Sequence, residues 1–294
     1  MVSLTVLLIV AGFGAGLLGA MLGIGGGVFL VPLLALVFGI PMHTAIAASL
    51  VAVIATSCAG ASSYLKAGLT NLRLGAVLLV TTCIGAVLGG LIATMVGDVV
   101  LALLFGLVML YASYSMFRSG GIQPESEAVP VEGVVNRQGG YVGRMVEGCW
   151  ARMACTYRDR ALQCDVQYRP RRLPLGLSLS LVAGMTSGLM GIGGGVVQVP
   201  IMHLAMGVPV RAAAGTSNYM VGVTAAASAL IYYGNGFVDP SVAIPTVLGV
   251  FFGARLGARI AQTVQSSLLS RVLAVVLLYV ALQMFLRATG LKLG

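Results

Sequence analysis

Apolar residues run along this chain in long stretches separated by short polar or glycine-bearing breaks. A stretch of about 20 apolar residues is long enough, as a helix, to cross a hydrocarbon core of about 30 Å. The pattern predicts an apolar helix over 4–22, a glycine break at 23–27 and a short apolar segment at 28–39. Longer helices follow at 43–65, 72–97 and 99–117. The series then returns at 175–190, 196–207, 211–232, 240–265 and 268–287, after a polar stretch at 118–172.

The return is a register and not only a resemblance in spacing. At a constant offset of 168 residues, Gly23–Gly27 (Gly-Ile-Gly-Gly-Gly) falls on Gly191–Gly195, Pro32 on Pro200 and Pro41 on Pro209. Tyr64 falls on Tyr232, Gly85 and Gly89 on Gly253 and Gly257, and Met116-Phe117 on Met284-Phe285. An ungapped match of this length marks a duplicated unit. The chain therefore divides into a first membrane repeat (1–117), a linker (118–172) and a second membrane repeat (173–294).

Residues 28–39 rise only about 18 Å as a helix, too little to span alone. Residues 4–39 accordingly read as a broken, re-entrant hairpin, followed in each copy by three transmembrane helices. If the hairpin starts and ends on one side, each copy makes an odd number of crossings and the second copy is inverted. If it makes one net crossing, the copies are parallel. Charge at matching loops favours inversion. Lys66 and Arg73 mark one loop of the first copy, whereas the equivalent Gly234–Asp239 has no base and Arg211, Arg259 and Arg271 mark the other side. Arg287 and Lys292 run against this pattern.

Composition agrees with a polytopic all-α membrane protein. Of 294 residues, 59% are hydrophobic and 9% charged, against about 25% charged for a soluble domain. Met1–Ser3 carry no Lys or Arg and the apolar run goes on well past them, which argues against a cleaved signal peptide. The net charge of +9 is no nucleic-acid footprint, because nine of the 17 basic residues lie between Arg118 and Arg172 with six of the eight acidic ones. Most other bases sit at span ends, as orientation signals do. The linker composition suits a solvated connector, although Val142, Met145, Val146, Cys149, Trp150 and Met153 would share the face of a short interfacial helix. The five cysteines form no Cys-x-x-Cys pair and read as free thiols.

The glycine breaks invite comparison with nucleotide-binding loops. Neither carries the Lys-Ser/Thr of a phosphate loop, nor the preceding strand and downstream acid of a dinucleotide fold. Glycines in series break a helix, and a helix that restarts presents free N–H groups and the positive end of its dipole. Two such breaks converging inside the membrane would form an anion site. The candidate substrate-binding residues are Gly25, Gly26, Gly27, Ser49, Gly193, Gly194, Gly195, Gln198, Thr216, Ser217, Asn218, Arg255 and Arg259. Arg255 and Arg259 either line an anion vestibule or snorkel to the interface. The pairs Gly85/Gly89 and Gly253/Gly257 read as close helix packing, and His203 as a packed residue. A larger residue at Gly26 or Gly194 is expected to abolish flux while leaving insertion intact. No Asp or Glu lies inside a span, which argues against a carboxylate proton relay and against an enzyme, and no cluster calls for a metal or cofactor.

These motifs resemble the TauE/SafE family of sulfite and organosulfonate permeases. The resemblance is carried by Gly23-Ile-Gly-Gly-Gly-Val-Phe-Leu-Val-Pro32, Gly191-Ile-Gly-Gly-Gly-Val-Val-Gln-Val-Pro200, Pro209-Val-Arg-Ala-Ala-Ala-Gly-Thr-Ser-Asn218 and Gly253-Ala-Arg-Leu-Gly-Ala-Arg259. It implies secondary transport of sulfite, thiosulfate, a sulfonate or a related small anion across a bacterial inner membrane, often outward. A carboxylate or other small anion on the same scaffold is the alternative, followed by a non-transport membrane scaffold or enzyme. The long linker departs from compact members, leaving open a partner there and a homo-oligomer. Leu50 stands where the second copy has Asn218, so substrate contacts need not be symmetric.

Overall fold

The computed structural model describes residues 2–22, 25–66, 68–119, 155–159, 164–168, 170–260 and 278–286. Helix α1 spans Val2–Leu22, and after the glycine break α2 spans Gly27–Pro32 and runs on as a π-helical turn, Leu33–Val37. Helices α3 (Met42–Lys66), α4 (Leu72–Met95) and α5 (Asp98–Ser119) follow. The second half repeats the order: α6 (Leu173–Met190), α7 (Gly195–Pro200) with its π turn Ile201–Ala205, α8 (Val210–Gly234), α9 (Pro240–Ile260) and α10 (278–286). Among the described residues, the helix ends agree with those read from the hydrophobic pattern to within two residues. Residues 261–265, 268–277 and 287 of the expected spans, and the expected interfacial helix, lie outside the described residues.

By length and composition four of these helices can cross a membrane: Met42–Ser62, Leu72–Met95, Leu173–Met190 and Pro240–Ile260. Among the described residues, the exception to the helical pattern is an antiparallel pair inside the stretch read as a connector, β1 (Cys155–Asp159) and β2 (Cys164–Tyr168), with Cys155 opposite Tyr168 and Asp159 opposite Cys164. Its Thr-Tyr and Val-Gln-Tyr content suits a pleated surface. Tyr168 carries the pair into the bundle, buried in a cluster with Leu74, Leu78, Leu173 and Met206.

Glycine decides how the helices pack. In the α1–α9 seam, a Cβ on Gly249, Gly253 or Gly257 would fall on the carbonyl oxygens of Ile9, Phe13 and Leu17 in turn. From the other side, Gly12 and Gly16 lie against the backbone of Thr246 and Val250. The α4–α6 seam repeats this arrangement: Gly85 and Gly89 face the carbonyls of Leu181 and Met185, while Gly184 and Gly188 face those of Thr82 and Ala86. Residue numbers rise together along both seams, so each pair runs parallel. Glycines one turn apart let the backbones touch, which provides dispersion contact where the lipid offers no hydrophobic drive.

Between the seams, α3 crosses α8. Gly222 meets Ser57, Gly60 meets Asn218, and the backbone N–H of Asn71 donates to Thr216 Oγ1 at 3.0 Å. Numbers rise along one helix as they fall along the other, so α3 and α8 run antiparallel. At one end of α3, His43 Nδ1 lies 2.5 Å from Asp98 Oδ1 and Nε2 lies 3.0 Å from the Ala93 carbonyl, while the ring stacks on Phe237 at 4.8 Å. One side chain thus joins the start of α3 to the end of α4, the start of α5 and the α8–α9 loop. His203 closes its own turn through Nδ1 and the Val208 carbonyl, 3.0 Å away, as a packed residue would.

Candidate functional site

Both breaks arrive at the α3–α8 crossing. Gly25 has φ +85° and both Gly193 and Gly194 have φ +80°, a region costly to side chains with a Cβ. No side chain caps the helix that restarts at Gly27 or at Gly195. The breaks touch: a Cβ on Gly27 would fall on the Gly191 carbonyl oxygen and lie 2.8 Å from Ser49 Oγ. Gly25 and Gly193 share two neighbours, Val53 and Val221. These valines are themselves 168 positions apart, so one residue from each half closes the centre.

Polar side chains secure this junction. Ser49, fully buried, donates to the Gly191 carbonyl at 2.8 Å. Ser57 donates to the Asn218 carbonyl and Thr70 to that of Gly215 at 3.4 Å. Thr216 accepts from Asn71, so its hydroxyl holds the α3–α4 loop against α8. Gln198, buried two residues before Pro200, donates through Nε2 to Ser180 Oγ at 2.9 Å. Three buried polar atoms here have no hydrogen-bond partner: Gln198 Oε1, Ser187 Oγ and Ser217 Oγ.

Gln198, Gly193 and Gly194 line a cavity of ≈ 10 Å³ with Thr82, Ala183, Gly184, Met220, Val221 and Thr224. That is room for about one water, and none of the lining groups is ionisable. The structure thus brings together Gly25, Gly27, Ser49, Gly193, Gly194, Gln198 and Asn218 at or beside the crossing. Gly26 sits behind them against Ala15 and Thr56. Gly195 and Ser217 are buried nearby. Arg255 and Arg259 are apart from this group, exposed on α9.

Three participants were not expected from the sequence: Ser180 and Ser187 on α6, and Thr82 on α4. Their signal was present in the offset of 168, because they stand where the other half has Gly12, Gly19 and Val250. A polar residue gained inside one span and not in its counterpart is a sign of use, since such groups are costly in hydrocarbon.

The family model for the sulfite exporter TauE/SafE matches residues 8–284. The chain belongs to the TauE/SafE family. Relatives with the same span include the probable membrane transporter protein YunE of Bacillus subtilis, 24% identical over 85% of this chain and 86% of the relative. A probable membrane transporter protein of Xylella fastidiosa is 29% identical over 81% and 76%. In the archaeon Methanocaldococcus jannaschii, the probable membrane transporter protein MJ0441 is 24% identical over 85% and 83%. No solved structure matches. A TauE/SafE protein is a multi-pass membrane transporter, and the apolar spans of this chain agree with that.

Proposed function

We propose that this TauE/SafE chain is a secondary permease of the bacterial inner membrane that carries a small sulfur-containing anion outward. Sulfite, a sulfonate and thiosulfate are the candidate cargoes. The observation that carries the reading is the meeting of two glycine breaks at the α3–α8 crossing, each with a positive-φ glycine and an uncapped helix start. Helix restarts turn N–H groups and dipole ends inward, and neutral donors in a dry site hold an anion without a fixed cation. With the cytoplasm negative, each exported negative charge gains about 2.3 kcal/mol per 100 mV, so export needs no coupling ion. Val53 and Val221, one from each half, pack against Gly25 and Gly193 at the centre.

The two halves, 1–117 and 173–294, act as inverted copies joined by the 118–172 linker. The antiparallel run of α3 and α8 supports inversion, because two equivalent helices of opposite direction are related by an axis in the membrane plane. Cysteine at Gly68 and at Gly236, both exposed with open space around them, should be labelled by an impermeant thiol reagent from opposite sides. Labelling of both from one side would mean parallel copies.

Function is tested by reconstituting the purified protein in liposomes and measuring flux of sulfite, thiosulfate, sulfonates and small carboxylates. Saturable sulfite or sulfonate flux, raised by an inside-negative potential in the outward direction, is the expected result. Flux confined to carboxylates would reassign the cargo, and no flux of any anion would refute the permease.

A further inference from the structure

We infer that the anion seat is one-sided: Gln198 and Ser187 build it at the second break, and the mirrored position in the first half is packing. This rests on the permease reading and deepens it by naming specificity-determining side chains.

Around the second break stand Ser180, Ser187, Gln198 and Thr82. At the offset of 168 the first half has Gly12, Gly19, Leu30 and Val250. The substitutions have opposite structural meanings. Gly12 lies against the Thr246 backbone, and a Cβ on Gly19 would fall 2.5 Å from Gly26 Cα. Leu30 and Val250 are fully buried in the apolar core. The hydroxyls at the first break, Ser49 and Thr56, are both spent on backbone carbonyls, and the rest of its wall is backbone and hydrocarbon. At the second, Ser187 sits beside Gly194, and Gln198 lines the cavity with Gly193 and Gly194.

The hydrogen-bond inventory points the same way. Gln198 is 2% exposed and its Oε1 has no partner, nor has the Ser187 hydroxyl. Buried polar atoms without partners are rare in folded chains, because burial removes their water. Gln198 lines the recess beside the second break, and Ser187 lies against Gly194, which lines it too. The amide can also present either of its ends. Nε2 donates to Ser180 Oγ at 2.9 Å, but a hydroxyl both donates and accepts. Turning the amide by half a revolution keeps the Ser180 bond, now donated by the hydroxyl, and aims two N–H donors into the recess. With the Ser187 hydroxyl, that makes a neutral donor set for an oxyanion. The same amide with its oxygen inward would accept from a protonated oxyanion. The recess of ≈ 10 Å³ is smaller than either ligand, so the seat fills when α6 and α8 separate around it.

The test installs first-half residues in the second half: Gln198→Leu and Ser187→Gly, with Leu30→Met in the first half as control. Concentration dependence of sulfite and sulfonate flux is measured in liposomes, with insertion and elution profile checked for each variant. Gln198→Leu should raise KM about 10- to 100-fold, the factor that hydrogen bonds to a charged group supply, and leave the maximal rate less affected. Ser187→Gly should raise KM by about threefold or more on the same reasoning. Leu30→Met should leave it unchanged. Wild-type KM in Gln198→Leu would overturn the one-sided seat while the permease stands. If Gln198→Leu does not assemble, Ser187→Gly decides, and an unchanged KM there would overturn the seat as well. Absence of flux in the wild type is a separate result that removes the permease and this seat together.

Discussion

Gly253→Val should leave little folded protein. The α1–α9 seam has no slack at this point: an added Cβ would fall on the Phe13 carbonyl oxygen and within 3.0 Å of Leu17 N. Both are backbone atoms of a helix and cannot turn aside as a side chain would. The helices must part, and contacts at Gly249, Gly257, Gly12 and Gly16 weaken with them. Overpacking costs about 1–3 kcal/mol where side chains can yield. Here, where backbone must move, about 3–5 kcal/mol is expected, a large share of the 5–15 kcal/mol that holds a typical protein folded. Gly85→Val should do the same to the α4–α6 seam, where Leu181 takes the place of Phe13. Gly14→Ala is the control, because a Cβ there meets nothing within 4 Å. The monodisperse fraction on detergent chromatography and the melting temperature decide it. Wild-type yield and melting for Gly253→Val would mean that the seam is looser than the structure has it.

Much of this packing was legible before any coordinates. A glycine pair four residues apart within an apolar span has one common meaning in a membrane, and Gly253/Gly257 lie at a helix seam as their spacing implied. The helix ends were legible too, because the glycine breaks and loop residues punctuate the apolar runs sharply. Less of the candidate site could be read. Thr216 is a candidate as a polar residue inside a span, yet its hydroxyl holds Asn71, 145 positions away in sequence. Adjacent residues on a helix point about 100° apart, so a polar run cannot all face one site. Arg255 and Arg259 lie one turn apart on the exposed side of α9, and their spacing alone does not say whether they face a vestibule or the interface. Ser187 went unread because a lone serine in a span ordinarily bonds its own helix. Only comparison with Gly19 gives it meaning. The β1–β2 pair was missed for want of a hydrophobic alternation strong enough to stand out in a charged linker.

Within the breaks the glycines are not equivalent, and transport should rank them. Gly27→Ala places a methyl on the Gly191 carbonyl oxygen and 2.8 Å from Ser49 Oγ, pushing the two breaks apart where Ser49 ties them. Gly193→Ala meets Val53 and Val221 at 2.6 Å and must also hold φ +80°, worth about 1–2 kcal/mol for a residue with a Cβ. Gly26→Ala, by contrast, has φ −68° and meets nothing nearer than 3.4 Å. Flux should fall about tenfold or more in Gly27→Ala and Gly193→Ala, since each 1.4 kcal/mol is a factor of ten and such clashes cost about 1–3 kcal/mol. Gly26→Ala should stay within about twofold of wild type, although a larger side chain there would reach Thr56. The sharper criterion is the pattern and not any single loss. A general packing role would make sensitivity follow crowding alone, so that Gly27→Ala lowered melting temperature in step with flux. A site between the breaks demands lost flux at near-normal insertion in Gly27→Ala and Gly193→Ala, with Gly26→Ala spared. Equal flux in all three variants would return the breaks to ordinary helix packing and leave the anion to bind elsewhere.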